Sequence, residues 1–371
     1  MVESSTGAAE VSQVTATLSE YVADAGQATL PSSVRERARL HILDAIAAMV
    51  SGSRLGPGQI AAAWCRSHAT WESGATVVGT ERCTAPFAAA LVNGMAAHAD
   101  ETDDSHPESL SHPGCAVVPA ALAAAESIDA SGDAFLRAVV VGYDVGCRMG
   151  RAVGLKKAEM QLGRPSSHAL VGIFGASAAA AVVYGLRASP VRHALSYAAQ
   201  SCGGTTSWMG APSHVQKSFV FGGLPASRGL MSASLVAAGF DGVEDAFANT
   251  PNWLDATSRQ PRPEELGSKL GERFEIEQTT LKKYAVGSPV QAAVEAALLL
   301  TADGVRASEI DWIEVRIPAD AAPVVDANPV PSINAQYLVA ATLIAGRFSF
   351  QLAHDVPALR RPDVIALLAR T

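Results

Sequence analysis

Alanine and other small apolar residues recur at helical spacing in one stretch after another until about residue 255, and this succession commits the first two thirds of the chain to packed helices. A loose end leads into a first helix expected at 11–25. A second is expected from Ser33, where Ser33 and Glu36 have capping-box spacing and Ala38, Ile42, Ala45, Ile46 and Met49 follow at helical intervals up to Gly52. Further helices read at 58–67, 85–98, 114–126, 132–150, 170–185, 190–202 and 225–239, separated by short loops containing Gly, Pro or Ser. Aromatic residues are 6% of the chain while apolar residues are 49%, so the core is filled by small side chains. Small side chains on this scale suit helices in close contact rather than a β sandwich.

The pattern changes after residue 255. The stretch 258–271 is polar and contains proline, and reads as a linker or exposed loop. A short strand is expected at 274–276, a helix at 288–301 and a half-buried strand where Ile313, Val315 and Ile317 alternate with Glu314 and Arg316. Helix resumes at 337–345. The expected fold is therefore mainly α: a large helical domain over 1–255, a smaller α+β unit over 256–330, and returning helices over 331–371 packed on the helical domain.

Charge and cysteine usage narrow the function. The 28 basic and 36 acidic residues leave a net charge of −8, which argues against nucleic acid or an anionic membrane as main partner. Five cysteines, an odd number without a CxxC pair, indicate neither a zinc ribbon nor a disulfide framework and suit a reducing, cytoplasmic setting. The first 34 residues hold four acids and no Lys or Arg, unlike a standard signal or transit peptide. Gly222-Gly223 completes neither a GxGxxG nor a Walker motif, and no GxSxG elbow occurs.

The densest chemistry lies between two apolar helices, in His98-Ala-Asp-Glu-Thr-Asp-Asp-Ser-His106-Pro-Glu-Ser-Leu-Ser-His112. It holds three of the nine histidines and the carboxylates Asp100, Glu101, Asp103, Asp104 and Glu108. Carboxylates fix histidine tautomers and histidines move protons near neutral pH, so the segment reads as an active-site loop for a small anionic molecule. A metal site, for which the spacing matches no specific zinc signature, and a solvated capping loop are the alternatives. Arg164-Pro-Ser-Ser-His168 opens a small-residue helix whose N–H groups could face an anion. Lys217 sits among aromatics and glycines in Gln-Lys-Ser-Phe-Val-Phe-Gly-Gly, where a buried ammonium needs an anion unless its head reaches water. Lys282 and Lys283 follow the expected short strand; adjacent lysines there are usually solvated.

Together these segments resemble the MmgE/PrpD family of 2-methylcitrate dehydratases, cis-aconitate decarboxylases and iminodisuccinate epimerases. The resemblance rests first on Asn93-Gly94, His98-Ala, Asp103-Asp104-Ser105-His106-Pro107 and His112-Pro113. The stretch Gly142-Tyr-Asp-Val-Gly146, His168 with Gly172-Ile-Phe-Gly175, Lys217, Lys282 and Asn334-Ala-Gln-Tyr337 follow in family order. It implies a helical domain with an α+β lid, usually as a homodimer, and a lyase, first of all a dehydratase of a hydroxy di- or tricarboxylate, with no metal or organic cofactor. An epimerase, a decarboxylase or an inactive homologue are the other outcomes on that scaffold. By matched position, His112 and His168 handle protons, Glu101 stands for a family aspartate, and Lys217 and Lys282 bind carboxylates. Tyr337 lines the pocket, and Asp104, Ser105 and His106 contact substrate, although Asp103, Asp104 and His106 could instead hold the loop. The sequence departs from relatives at Val220 and Gly287, each a histidine in some of them, and it ends at Thr371 with a lid expected to be shortened.

Overall fold

A computed structural model describes residues 11–68, 74–156, 165–249 and 251–371; Arg164 and the first ten residues lie outside the described residues. Ten helices carry the larger part of the fold: α1 (Gln13–Asp24), α2 (Ser32–Gly52), α3 (Gly56–His68), α4 (Pro86–Ala97), α5 (Gly114–Ser127), α6 (Gly132–Val153), α7 (Ser167–Val183), α8 (Ala188–Ser201), α9 (His214–Ser218) and α10 (Leu224–Ala237). The fold is mainly α, as the small-residue periodicity requires. Short helices α11 (Trp253–Thr257) and α12 (Glu264–Gly267) follow, then α13 (Gln291–Ala302), α14 (Ala322–Val325), α15 (Ala335–Ala345), α16 (Phe350–His354) and α17 (Pro362–Leu368). Helix α2 starts at Ser32 with Pro31 as its N-cap and no side-chain cap bond, so the Ser33–Glu36 capping box does not form.

Glycine spacing explains why the central helices lie so close. Gly142 and Gly146 of α6 face α7, where a Cβ on Gly146 would stand 2.5 Å from the Val171 carbonyl oxygen and one on Gly175 would stand 2.7 Å from that of Gly142. Both helices are almost wholly buried, and the packed small residues exclude water without large side chains. The same device brings α4 against Phe219–Gly223, a single π-helical turn between α9 and α10. A Cβ on Gly94 would meet the Gly222 carbonyl oxygen at 2.5 Å. The Gly222-Gly223 pair thus serves backbone contact. Beside Gly94, Asn93 accepts from Val78 N at 2.9 Å and donates to Thr76 O at 2.8 Å, fixing a hairpin of β1 (Ala75–Val77) and β2 (Arg82–Thr84) that the sequence pattern did not reveal.

The later elements differ from expectation. Residues expected as a strand at 274–276 enter a 3-10 turn, Glu275–Gln278. The 313–317 segment is extended and its side chains alternate between half-buried and exposed, yet among the described residues the only sheet is the β1–β2 pair. Ile313 N bonds the Arg370 carbonyl at 2.7 Å, and no neighbouring strand continues the ladder. Alternation predicts burial of one face; a ladder needs a partner. Helices α15 and α17 share two cores with α13, one holding Val294, Leu338 and Val364 together with Val286 and Val290, the other Ala297, Leu343 and Leu367. Tyr337 lies within the first of these cores and donates to the Leu352 carbonyl at 2.8 Å. The small unit touches the large body where His354 Nε2 lies 3.0 Å from the Asp100 carbonyl oxygen.

Because the Gly94–Gly222 approach is backbone to backbone, neither side can yield. Gly94→Ala is expected to destabilise the fold by about 3 kcal/mol or more, read as a lowered denaturant midpoint; an unchanged midpoint would show that α4 can shift.

Candidate active site

The acid-rich loop after α4 is buried apart from its tip at Pro107 and Glu108, and each of its carboxylates has partners. Asp104 Oδ2 accepts from His41 Nδ1 at 2.7 Å and Tyr143 OH at 2.5 Å, and its Oδ1 accepts from Gly114 N at 3.0 Å. Burial alone would raise this carboxyl, but these donors hold it below the ordinary aspartate range. His106 is likewise committed, with Nδ1 2.9 Å from Ser109 Oγ and Nε2 3.1 Å from Glu275 Oε2. Glu275 also meets Arg151 at 3.2 Å and Arg273 at 2.7 Å. Asp104 and His106 therefore spend polar atoms on the loop and its supports; of the two, His106 also borders the adjoining cavity, and Asp104 stands behind it. The Tyr337 hydroxyl donates to Leu352 O, and Tyr337 is not among the residues of the cavity wall.

The assigned residues other than Asp104 and Tyr337 meet at one cavity of about 720 Å³, whose wall includes Glu101, Ser105, His106, His112, His168, Lys217 and Lys282. Glu101 has φ of 60°, a left-handed conformation costly for a non-glycine residue, and this turn points its carboxylate inward. Its Oε1 bonds the Lys217 ammonium and lies 2.6 Å from His214 Nε2, while Lys282 Nζ stands 3.5 Å from Oε2 and donates to the Glu101 carbonyl at 2.8 Å. Burial would raise the Glu101 carboxyl, but Lys217, His98 and Lys282 hold it well below the ordinary value. Lys282 arrives on the segment after the 3-10 turn, registered by two Ser105–Thr280 backbone bonds of 2.9 Å. Burial works against its charge, yet Asp103 and Glu101 raise its pKa above the usual lysine value.

The two expected proton carriers are stacked. His112 and His168 have ring centroids 5.0 Å apart at 12°, and His168 lies on Phe221 of the π turn at 3.6 Å. His112 Nδ1 donates to the Asp104 carbonyl, which leaves Nε2 as the lone-pair nitrogen. Burial, then the Lys282 cation, lowers the His112 pKa to about 4. Burial, then His112 and His98, lowers that of His168 well below the ordinary histidine value. Both rings are neutral at neutral pH, and a carboxylate bound beside them would raise both.

Sequence reading missed His214, Trp208 and Phe221. His214 and Lys217 share one face of α9 at helical i, i+3 spacing, a signal that was available. Phe221 and Trp208 cover the Lys217 ammonium at 5.0 and 5.6 Å from their ring centroids, a contact only the fold creates. His98, its Nδ1 2.8 Å from Asp103 Oδ2, forms with Glu101 and His214 a triplet whose ligand atoms lie within 4.8 Å of one another. A metal there would have to displace Lys217 from Glu101 and approach Lys282, so as built the cluster is organised round ammonium groups.

Histidine ring NMR against pH is expected to find His112 neutral down to about pH 4. A midpoint near the ordinary 6.5 would show that water reaches the ring freely.

The chain is 29% identical to the cis-aconitate decarboxylase-like protein oryM of Aspergillus oryzae over 299 residues, covering 76% of this chain and 60% of that protein. It is 26% identical to the cis-aconitate decarboxylase of Aspergillus terreus over 301 residues, covering 77% and 59% respectively. The matches thus span about 60% of the length of these relatives. Residues 16–266, from α1 through α12, match the MmgE/PrpD N-terminal domain, and the chain belongs to the MmgE/PrpD family.

Proposed function

We propose that this chain carries the acid–base centre of a lyase that removes carbon dioxide or water from a small carboxylate. The observation that carries the reading is a pair of stacked, neutral imidazoles beside two buried ammonium groups on one cavity wall. A substrate carboxylate would enter at Lys217 and Lys282. In decarboxylation the C–C bond breaks, its electron pair stays on carbon conjugated with a remaining carboxylate, and a protonated imidazole delivers the proton to carbon. In dehydration His112 Nε2 would take the proton α to the carboxylate, and the other ring, protonated, would accompany the departing hydroxide. The negative charge that develops on the carboxylate in either route faces the two ammonium groups. The names of the relatives favour decarboxylation; the sequence resemblance alone favoured dehydration.

Glu101 and His214 set the position of Lys217 in this scheme, and Ser105 is available to a bound acid at the wall. Every step is assigned to side chains, with no metal or organic cofactor. Five free cysteines fit a reducing, cytoplasmic setting, and no helix among the described residues is long and apolar enough to cross a membrane. A homodimer is supported by α2, whose outer face exposes Leu40, Leu43 and Val50 in one helical stripe.

His112→Ala is expected to lower kcat/KM by about 10²–10⁴-fold with the helical circular dichroism intact, measured on a panel of cis-aconitate, citrate, 2-methylcitrate and iminodisuccinate. Product and α-proton exchange in D2O are followed by NMR. No turnover and no exchange with any of the four would remove the lyase reading. For the assembly, Leu43→Glu is expected to shift sedimentation from dimer to monomer, and a wild-type monomer would reject the homodimer.

A further inference from the structure

The cavity has a second half that the proton transfers do not use. Its cationic end consists of Lys217 and Lys282, each already facing Glu101 or Asp103. Lys283, also on the wall, is exposed and bonds Glu295 at 2.7 Å, and Asp320 adds another acid. Among the described residues the wall carries no arginine. The side supplied by the small unit is mostly apolar, formed by Leu281, Pro289, Ala292, Ala321, Val324 and Ile333, with the side chains of Ser288 and Gln291 among them. Gly287, on the same side, contributes no side chain.

Size and charge point the same way. A six-carbon tricarboxylic acid has about a dozen heavy atoms; at the liquid-water share of about 30 Å³ each they fill at most roughly 360 Å³. The cavity offers about 720 Å³. A trianion would also bring three charges to two ammonium groups that have counter-charges already, and a buried charge without a partner is costly.

We propose that the preferred ligand is a carboxylate bearing an apolar substituent of several carbons, the carboxylate at Lys217 and Lys282 and the substituent against the Leu281–Ala292–Val324 side. The assignment rests on reading the site as a carboxylate lyase. Each methylene fully buried on that side tightens binding by about fourfold, and partial burial by about twofold.

Calorimetry with unreactive methyl-, butyl- and hexylsuccinate, and with tricarballylate as a trianion lacking a substituent, tests it. Affinity is expected to rise more than tenfold from methyl to hexyl, with hexylsuccinate binding more tightly than tricarballylate. Ala292→Trp, at an exposed position that tolerates bulk, is expected to reduce the hexyl-to-methyl ratio at least fivefold, and Leu281→Asp to do the same. Equal affinity along the series, tightest binding by tricarballylate, or no binding by any probe overturns the proposal. Turnover of cis-aconitate and its alkyl derivatives is read separately. Chain-length dependence without turnover removes the lyase reading alone; turnover without chain-length dependence removes the apolar-substituent assignment alone.

Discussion

The Glu101 carboxylate, buried between the ammonium groups of Lys217 and Lys282, ties together three segments of this molecule that are well separated in sequence. One lysine comes from the end of a short helix before the π turn, the other from the segment that follows the helical body. Three buried charges of this kind are tolerable only together. Removing one partner leaves an uncompensated charge away from water, a loss of about 3–5 kcal/mol. The left-handed turn at Glu101 is a further local cost that the surrounding ion pairs and packing offset.

Behind this cluster stands a layer that fixes it. Asp104 joins α2 through His41 and α6 through Tyr143, and it caps the start of α5 at Gly114. Its carbonyl sets the His112 tautomer. Glu275 joins His106 to Arg151 and Arg273, and its backbone N–H donates to Asp144 at 2.6 Å. The loop therefore holds its shape through hydrogen bonds made before any ligand arrives, and the cavity histidines stay neutral because burial opposes their charging. Preorganised, dehydrated groups of this sort respond strongly to an incoming anion.

The small unit matters to the same cavity. It supplies Lys282 from its leading segment and the apolar side from the residues around α13 and α14. Its extended 313–317 segment keeps strand-like alternation without a ladder, so what this unit presents to the cavity is helix and loop.

The sequence by itself determined the helical body, because small residues at helical spacing have only one way to bury themselves, and nine of its helices lie within a few residues of where periodicity puts them. It also singled out the 98–112 loop, since that density of histidines and carboxylates is legible as composition. It could not say which of those groups face inward. Asp104 and His106 look as reactive as Glu101 in sequence and differ only in what surrounds them: His41 and Tyr143 around one, Glu275 around another, two lysines around the third. Tyr337 follows a family-like motif yet turns its hydroxyl to a carbonyl of its own core. His214, Phe221 and Trp208 come to the cavity through a π turn and close glycine contacts that leave no periodic trace. Periodicity records which face of an element is buried; only the tertiary structure decides what it is buried against, and the charge state and reach of every titratable group here depend on that.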